Sequence, residues 1–380
     1  MVNYFKLFSR IVQKKGNNPI YLIHFVTSRC NAQCNFCFYW EQLNQTKNEL
    51  TLEEIDKVTR SFDKDLYQVI LTGGEPFLRK ELADIAIIYH KNAGVRKIAL
   101  ISTGFLTTRI INDVNKILKA CPGLSISINL SINHLYEDME KETKLKDHFN
   151  RLLDTYNGLV EIKKHNKNLG IYALTTHTKT NQNKLNDIYA FIKGKMPEAV
   201  FNINLIRGNP QDMDLKDINI SKYVEITQRM KFDRKFNDHS PAARLAAAKN
   251  LLRNDIIVNT FRESRYITPC YAGALTGVLY DGGDVFCCEL LDKRIGNLRD
   301  HDYSFKKVWN SHKANEIRNF IRDRKCFCTH ECFYTTNLMF NPSFYPRLII
   351  DALKFKKQKA AGGPLPNGAS TPESIQKIIS

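Results

Sequence analysis

From residue 20 to about 206, short apolar runs alternate with helical stretches, and no other feature of the chain narrows its fold so far. YLIHFV (21–26), QVILT (68–72), KIALIS (97–102), LSISINL (124–130), GIYALTT (170–176) and AVFNINLI (199–206) read as strands. Helices are expected over 51–62, where Thr51 and Glu54 form a capping box, and over 79–92, 108–120, 145–167 and 184–193. Repeated β-α units with right-handed crossovers make a parallel sheet clothed in helices. Six units suit an incomplete barrel, open on one side, rather than a closed eight-fold one. Ligands then collect at the C-terminal ends of the strands. Residues 20–215 form this first domain, and 216–265 a helical connector whose clearest helix is ARLAAAKNLLRN (243–254). Residues 266–340 form a small second domain, in which GVLYDGGDVFCCELL (277–291) turns back as a hairpin at Asp281-Gly282-Gly283. Residues 1–19 read as a basic helix and 341–380 as a helix with a flexible tail. No internal repeat is present.

Nine of the ten cysteines fall in two groups. Thiols clustered in a large chain without an export signal read as metal ligands in a reducing compartment rather than as a disulfide framework. Cys30, Cys34 and Cys37 follow the first strand directly. Three thiolates fit one face of an iron–sulfur cube, which normally takes four, so one iron stays open to a small molecule. Zinc is the competing reading, but structural zinc wants four ligands, and His24 lies within the strand. Cys121, alone before Pro122, reads as a buried apolar thiol.

Cys-x3-Cys-x2-Cys after the first strand, with LTGGEP (71–76) after the second, resembles the signature of the radical SAM superfamily. The fold expected is therefore α/β: a partial (β/α)6 barrel, followed by a small α+β domain containing the hairpin. The resemblance implies that Cys30, Cys34 and Cys37 hold a SAM-binding [4Fe–4S] cluster and that Gly73, Gly74 and Glu75 meet the amino end of S-adenosylmethionine. Glycine frees the backbone for close approach, and Glu75 offers a carboxylate to an ammonium. Ser102-Thr103-Gly104 stands where the family often has T-N-G. Ser127 and Asn129 resemble the S-x-D that contacts the ribose, with Asn in place of Asp. Phe36 matches an aromatic position near adenine. Thr176, His177, Thr178 and Asn181 are expected on the same rim, and Arg207 and Gly208 near the SAM carboxylate or the substrate. The implied chemistry is reductive cleavage of S-adenosylmethionine to a 5′-deoxyadenosyl radical that removes hydrogen from a C–H, fed by a flavodoxin- or ferredoxin-like one-electron reductant.

The stretch GDVFCC, with IGNL (295–298), the Trp309 region and the cysteine-rich end, resembles the SPASM/twitch extension of such enzymes. Its cysteines suit one auxiliary [4Fe–4S] cluster. Cys270 and Cys288 are the firmest ligands, and two of Cys326, Cys328 and Cys332 complete the set. Cys287 reads as a neighbour, because consecutive strand residues point to opposite faces. A zinc site that includes His330 is the alternative. Tyr271, Tyr280 and Glu289 are further residues that a second domain turns toward the cavity.

The formal charge is +17. It suits nucleic acid, an anionic membrane or a phosphorylated substrate as well as a plain solvated surface, and no RNA-binding appendage marks a nucleic-acid partner. Phe5, Phe8, Ile11 and Val12 among Lys6, Arg10, Lys14 and Lys15 make either an interfacial helix or one packed across the main domain. No run approaches the roughly 18 apolar residues of a membrane span, and a cytoplasmic enzyme is expected. Only about 19 residues precede the first strand, which leaves no room for a fused leader-peptide domain. The expected substrate is thus a small molecule, such as a sugar, polyol or lipid precursor, with a peptide or protein as the alternative. A non-catalytic iron–sulfur or zinc scaffold is the reading from another class.

Overall fold

The computed structural model describes residues 18–45, 48–62, 64, 66–233 and 240–354. The expected N-terminal helix and flexible tail lie almost entirely outside these residues.

Six strands form in the order expected: β1 (Tyr21–Phe25), β2 (Gln68–Thr72), β3 (Lys97–Ser102), β4 (Ser125–Ser131), β5 (Leu169–His177) and β6 (Ala199–Leu205). Each is parallel to the next. Between them run α1 (Leu52–Arg60), α2 (Leu82–Ala93), α3 (Thr107–Ala120), α4 (Tyr136–Thr143), α5 (His148–His165) and α6 (Leu185–Lys195). The capping box forms as read, with Thr51 and Glu54 each bonded to the other's backbone. Two helices differ from expectation. The one expected from residue 79 starts at Leu82, because Glu75 caps a separate 3-10 turn over Pro76–Leu78. The one expected from 145 starts at His148, after α4 has closed on Lys144 at φ 61°.

The connector is α7 (Ile220–Phe232) and α8 (Pro241–Glu263). Ser240 caps α8 and Pro241 opens it, so this helix runs well past the 243–254 stretch. Beyond it come β7 (Thr276–Leu279), β8 (Asp284–Phe286), β9 (Arg294–Asn297), α9 (Phe305–Trp309), α10 (His312–Asp323), α11 (Glu331–Met339) and α12 (Tyr345–Lys354). The hairpin turns where expected, but it belongs to the same sheet. β7 lies parallel to β1, giving one order, β6-β5-β4-β3-β2-β1-β7-β8-β9. β6 therefore ends the sheet and the barrel stays open on that side.

A second joint ties the C-terminal region to the first helix. The Arg299 guanidinium grips the Glu54 carboxylate at 2.8 and 2.9 Å and also donates to the Asn48, Glu49 and Gly282 carbonyls. The Tyr303 hydroxyl donates to Glu54 at 2.8 Å. Hydrogen bonds from Arg299 in the main hold the Glu54 carboxyl down at about 2. A depressed carboxylate contributes stability above its unfolded value near 4.5 that is lost as pH falls toward 2. Arg299→Ala should cost about 2 kcal/mol in denaturant melts at pH 7. The gap from the wild type should close as pH falls below 4.5, and a gap unchanged by pH would show that the ion pair is not its source.

Candidate active site

The loop after β1 carries Cys30, Cys34 and Cys37. Asn44 clamps it, accepting the Cys30 N–H at 2.9 Å and donating to the Cys30 carbonyl at 3.1 Å. The Cys37 N–H donates to the Cys34 carbonyl at 3.1 Å, drawing the last two thiols into one turn. Burial, with Glu75 and Cys37 adding to it, pushes the Cys30 thiol up to about 12. Cys34 and Cys37 move up as well, chiefly by burial, and Cys34 also feels both other thiols. His24 takes no part. It is buried with its Nδ1 2.9 Å from the Tyr89 hydroxyl on α2, and burial holds it down at about 3.

The exit turn of β2 lies against this loop. The Gly74 N–H donates to the Thr27 carbonyl at 2.9 Å and the Glu75 N–H to the Arg29 carbonyl at 2.8 Å. Gly73 has φ 142°, and a Cβ there would sit 2.2 Å from the Thr27 oxygen. A Cβ on Gly74 would sit 2.2 Å from the Arg29 oxygen and 2.8 Å from the Cys30 Cβ. The close approach that these glycines permit is to the thiol loop itself.

Glu75 is fully buried. It accepts the Ser102 hydroxyl at 3.0 Å, the Thr103 N–H and hydroxyl at 2.8 Å each, and the Phe77 N–H at 3.2 Å. Burial raises its carboxyl above the usual range. A carboxylate has about four lone-pair sites, so these donors occupy it, and Ser102 serves Glu75 rather than facing a ligand. His148 Nε2 donates to the Thr103 carbonyl at 2.8 Å, and its Nδ1 lies 2.9 Å from the Thr143 hydroxyl. The Thr143 carbonyl accepts the Gln33 N–H at 3.0 Å, which returns the chain of bonds to the thiol loop. Nothing in the sequence marked Asn44, Thr143 or His148, because their partners are set by loop geometry.

Along β4, β5 and β6 the half-buried positions alternate with buried ones that face the helices. They are Ser127, Asn129 and Ser131, then Gly170, Tyr172, Leu174 and Thr176, then Asn202 and Asn204. Register places Asn129 beside Tyr172, and Thr176 beside Asn204. Asn129 Nδ2 makes only 3.5 Å contacts, to the Leu100 and Ser127 carbonyls. Phe36 is half-buried between Cys34 and Cys37. The expected rim is smaller than read. His177 turns outward, stacking on Tyr223, and burial lowers it to about 4. Asn181 is spent inside its own loop, bonded to Thr178, Thr176 and Asn133.

In the C-terminal region Cys270, Cys288, Cys326 and Cys328 converge on one cavity of about 210 Å³, walled by Leu290, Ile321 and Phe333. Burial, followed by the neighbouring thiols, raises Cys270 to about 12, and burial with the Cys326 charge takes Cys328 to about 11. Cys287 points away, against Gly273 and Arg318. Cys332 also lies outside the cavity wall. Its thiol bonds with His330 and Tyr21 instead, and is lowered because His330 and Arg207 outweigh its burial. A local pattern links both thiol groups. Cys30, Cys37, Cys270, Cys288 and Cys328 each accept a backbone N–H from two residues further along, Ala32, Tyr39, Ala272, Leu290 and His330. Such bonds favour the thiolate over the thiol.

Between the two thiol groups sits a buried ionic network. Arg207 pairs with Glu289 at 2.9 Å and Glu331 at 3.9 Å and stacks over Phe38 at 5.1 Å. His330 Nε2 is 2.6 Å from Glu289, and Glu331 accepts the Leu205 N–H of the edge strand at 2.7 Å. Burial alone would raise Glu289, but Arg207 and His330 hold it at about 2. The Arg207 charge bears on Cys37 of the first group and on Cys328 of the second. Arg207, expected at a ligand carboxylate, is therefore neutralised within the protein, and Glu289 is its partner. Tyr280 packs with Phe25 and Tyr39 in the aromatic core, and the Tyr271 hydroxyl donates to the Phe340 carbonyl.

Residues 25–192 match the family model of the radical SAM superfamily, and residues 270–333 that of an iron–sulfur cluster-binding domain, SPASM. A GTP 3′,8-cyclase of Desulforamulus reducens is 27% identical over 167 residues, 43% of this chain and 50% of that protein. One from Actinobacillus pleuropneumoniae is 33% identical over 107 residues, 27% of this chain and 32% of that one. The chain thus spans between about a third and a half of the length of these curated relatives. Among solved structures, Streptococcus suis SuiB bound to S-adenosylmethionine aligns with TM-score 0.54 at 15% identity, over 83% of this chain and 72% of that one. AdoMet-bound anSMEcpe aligns at 0.50 and 16%, over 88% and 96%. At these identities the likeness concerns the fold.

Gly73→Ala tests the seam. The added methyl group meets the Thr27 carbonyl, so the thiol loop must shift. The variant should keep a cooperative melt yet take up about four fewer irons per chain on anaerobic reconstitution. A full iron count in a folded variant would show that the loop tolerates the shift.

Proposed function

Because the chain belongs to the radical SAM superfamily and carries a SPASM iron–sulfur domain, we propose that Cys30, Cys34 and Cys37 hold the SAM-binding [4Fe–4S] cluster, at the mouth of an oxidoreductase-like active site. When bound, that cluster and S-adenosylmethionine supply a 5′-deoxyadenosyl radical able to take hydrogen from an unactivated C–H. The observation that carries this reading is the seam of the three-thiol loop against the Gly73-Gly74-Glu75 turn. Backbone at 73 and 74 lines the cradle. Glu75 positions Thr103 and the loop from within it. The Asn129 carboxamide and Ser127 orient the ribose, and Phe36 covers the adenine. An external one-electron reductant, flavodoxin- or ferredoxin-like, completes the system.

Cys270, Cys288, Cys326 and Cys328 hold the auxiliary [4Fe–4S] cluster in this reading. Four thiols around a largely apolar void, with His330 at its wall, call for a metal centre to carry their charge. A single zinc, with Zn–S near 2.3 Å, would draw four sulfurs into contact, and a cavity of about 210 Å³ fits a larger group. Cys287 and Cys332 stand outside the set.

The substrate is a small, neutral, hydroxyl-rich molecule. The half-buried positions of β4, β5 and β6 carry hydroxyl and amide groups and no charge. Arg207 is already matched by carboxylates, which argues against a triphosphate like that in the relatives' name. A peptide is the second reading. β6 is an edge strand, and an extended chain pairs with such an edge.

Reconstituted, reduced protein should convert S-adenosylmethionine to 5′-deoxyadenosine, and Cys34→Ala should not. A loaded wild-type protein that leaves S-adenosylmethionine intact would end this reading. For the second site, Cys326→Ala or Cys328→Ala should lower the iron count by about four, with Cys332→Ala and Cys287→Ala unchanged. Iron lost with Cys332→Ala would move that thiol into the ligand set.

A further inference from the structure

The last described helix is built to be covered. α12 packs Leu348 against the protein, leaving that residue 3% exposed. On the other side Ile349, Ile350 and Leu353 are 56%, 55% and 58% exposed. At 100° per residue these three fall within one arc, which also takes in Pro346, so they form a stripe rather than scattered single residues. No other described helix places three such large aliphatic side chains in the open.

The chemistry beside the stripe says what covers it. Lys354 ends the helix, and the sequence continues Phe355-Lys356-Lys357-Gln358-Lys359, four lysines in six residues with one more aromatic. Arg347, on the border of the stripe, is held by Asp255 and Asp351 and contributes little net charge. Lys354 is itself paired with Asp351 at 3.2 Å, and residues 355–359 hold three further lysines and no acidic residue. Apolar side chains beside a dense cationic run are the two signals that together hold a protein on an anionic bilayer, where either alone is marginal. A second basic and apolar stretch lies at the other end of the sequence, Phe5, Phe8, Ile11 and Val12 among Lys6, Arg10, Lys14 and Lys15. Among the described residues no helix is long and apolar enough to cross a membrane, so contact of this kind is in the plane of the surface.

We propose that α12 and the lysines that follow it dock the enzyme on an anionic lipid surface. Ile349, Ile350 and Leu353 enter the headgroup boundary, and the lysines at 356, 357 and 359 supply the attraction to the phosphates. Leu348 and Ala352 keep the helix fixed to α8, so the catalytic body is held at the surface rather than on a tether. The docking does not depend on the substrate, nor on the cluster assignments above.

The test is flotation of the full-length holoprotein with vesicles. One set is phosphatidylglycerol and phosphatidylcholine in equal parts, and the other phosphatidylcholine alone. The wild type should float at least ten times more with the anionic vesicles in 0.1 M salt and be largely released at 0.5 M. Ile349→Asp/Leu353→Asp and, separately, Lys356→Glu/Lys357→Glu should each cut flotation about tenfold. Iron content, melting temperature and S-adenosylmethionine cleavage in solution should stay at wild-type values. Because the substituted side chains are exposed or lie beyond α12, loss of folding is not expected, and the melt checks it. Equal flotation with both vesicle types, or none, overturns the proposal. So does a dimer by light scattering that Ile349→Asp/Leu353→Asp dissociates while flotation is absent, since that assigns the stripe to a second copy of the chain.

Discussion

The site depends on a ring of hydrogen bonds that closes around the mouth of the barrel. The thiol loop receives the β2 turn through Thr27 and Arg29. That turn delivers the Glu75 carboxylate to Ser102 and Thr103 at the end of β3. Thr103 is tied to His148 at the start of α5, His148 to Thr143, and Thr143 back to Gln33 in the thiol loop. No member can move alone, and the ring needs two residues without side chains where backbones touch. Burial pushes each of the three thiols on this loop toward the neutral form. The ring keeps them together regardless.

A second buried system makes the two sequence regions one body. Arg207 comes from the end of β6, Glu289 from beyond β8, and His330 and Glu331 from the segment that opens α11. Removing any one charge leaves its partners buried and unpaired, which costs far more than the pair contributes when intact. Glu331 also takes the Leu205 N–H, so the free edge of the sheet is partly satisfied by the C-terminal region. The network lies between the two thiol groups, and its charges are felt at both. Cluster potentials respond to nearby charge and to N–H donors at sulfur. The same residues that join the regions are thus placed to tune both centres.

The strand–helix order was legible because parallel β-α units leave strong, repeated periodicity, and the thiol loop and GGEP turn because short-range spacing carries them. Strand alternation also anticipates that Cys287 turns to the opposite side from Cys288, where it lies against Gly273 and Arg318. Three things were not legible. The donors around Glu75 were not, because sequence does not reveal that Ser102 and Thr103 fold onto it. The partners of Arg207 were not, because Glu289 and Glu331 lie more than eighty residues away in sequence. The hairpin's place in the main sheet was not, because nothing local tells β7 that its partner is β1. In each case the missing information was a long-range contact, whereas every success rested on a pattern within about twenty residues.

The positive charge of the protein does not extend to the barrel strands. The formal excess is +17, yet the half-buried positions of β4, β5 and β6 are uncharged and Arg207, just past β6, is paired with Glu289. A face of hydroxyls and amides gains little from a ligand's net charge and much from matched hydrogen bonds. A ligand lacking one expected hydroxyl leaves a buried polar group unpaired, which discriminates more sharply than an apolar wall. In the function proposed above, selectivity resides in Asn129, Tyr172, Thr176, Asn202 and Asn204, which would set where a polar substrate's C–H lies relative to the thiol loop.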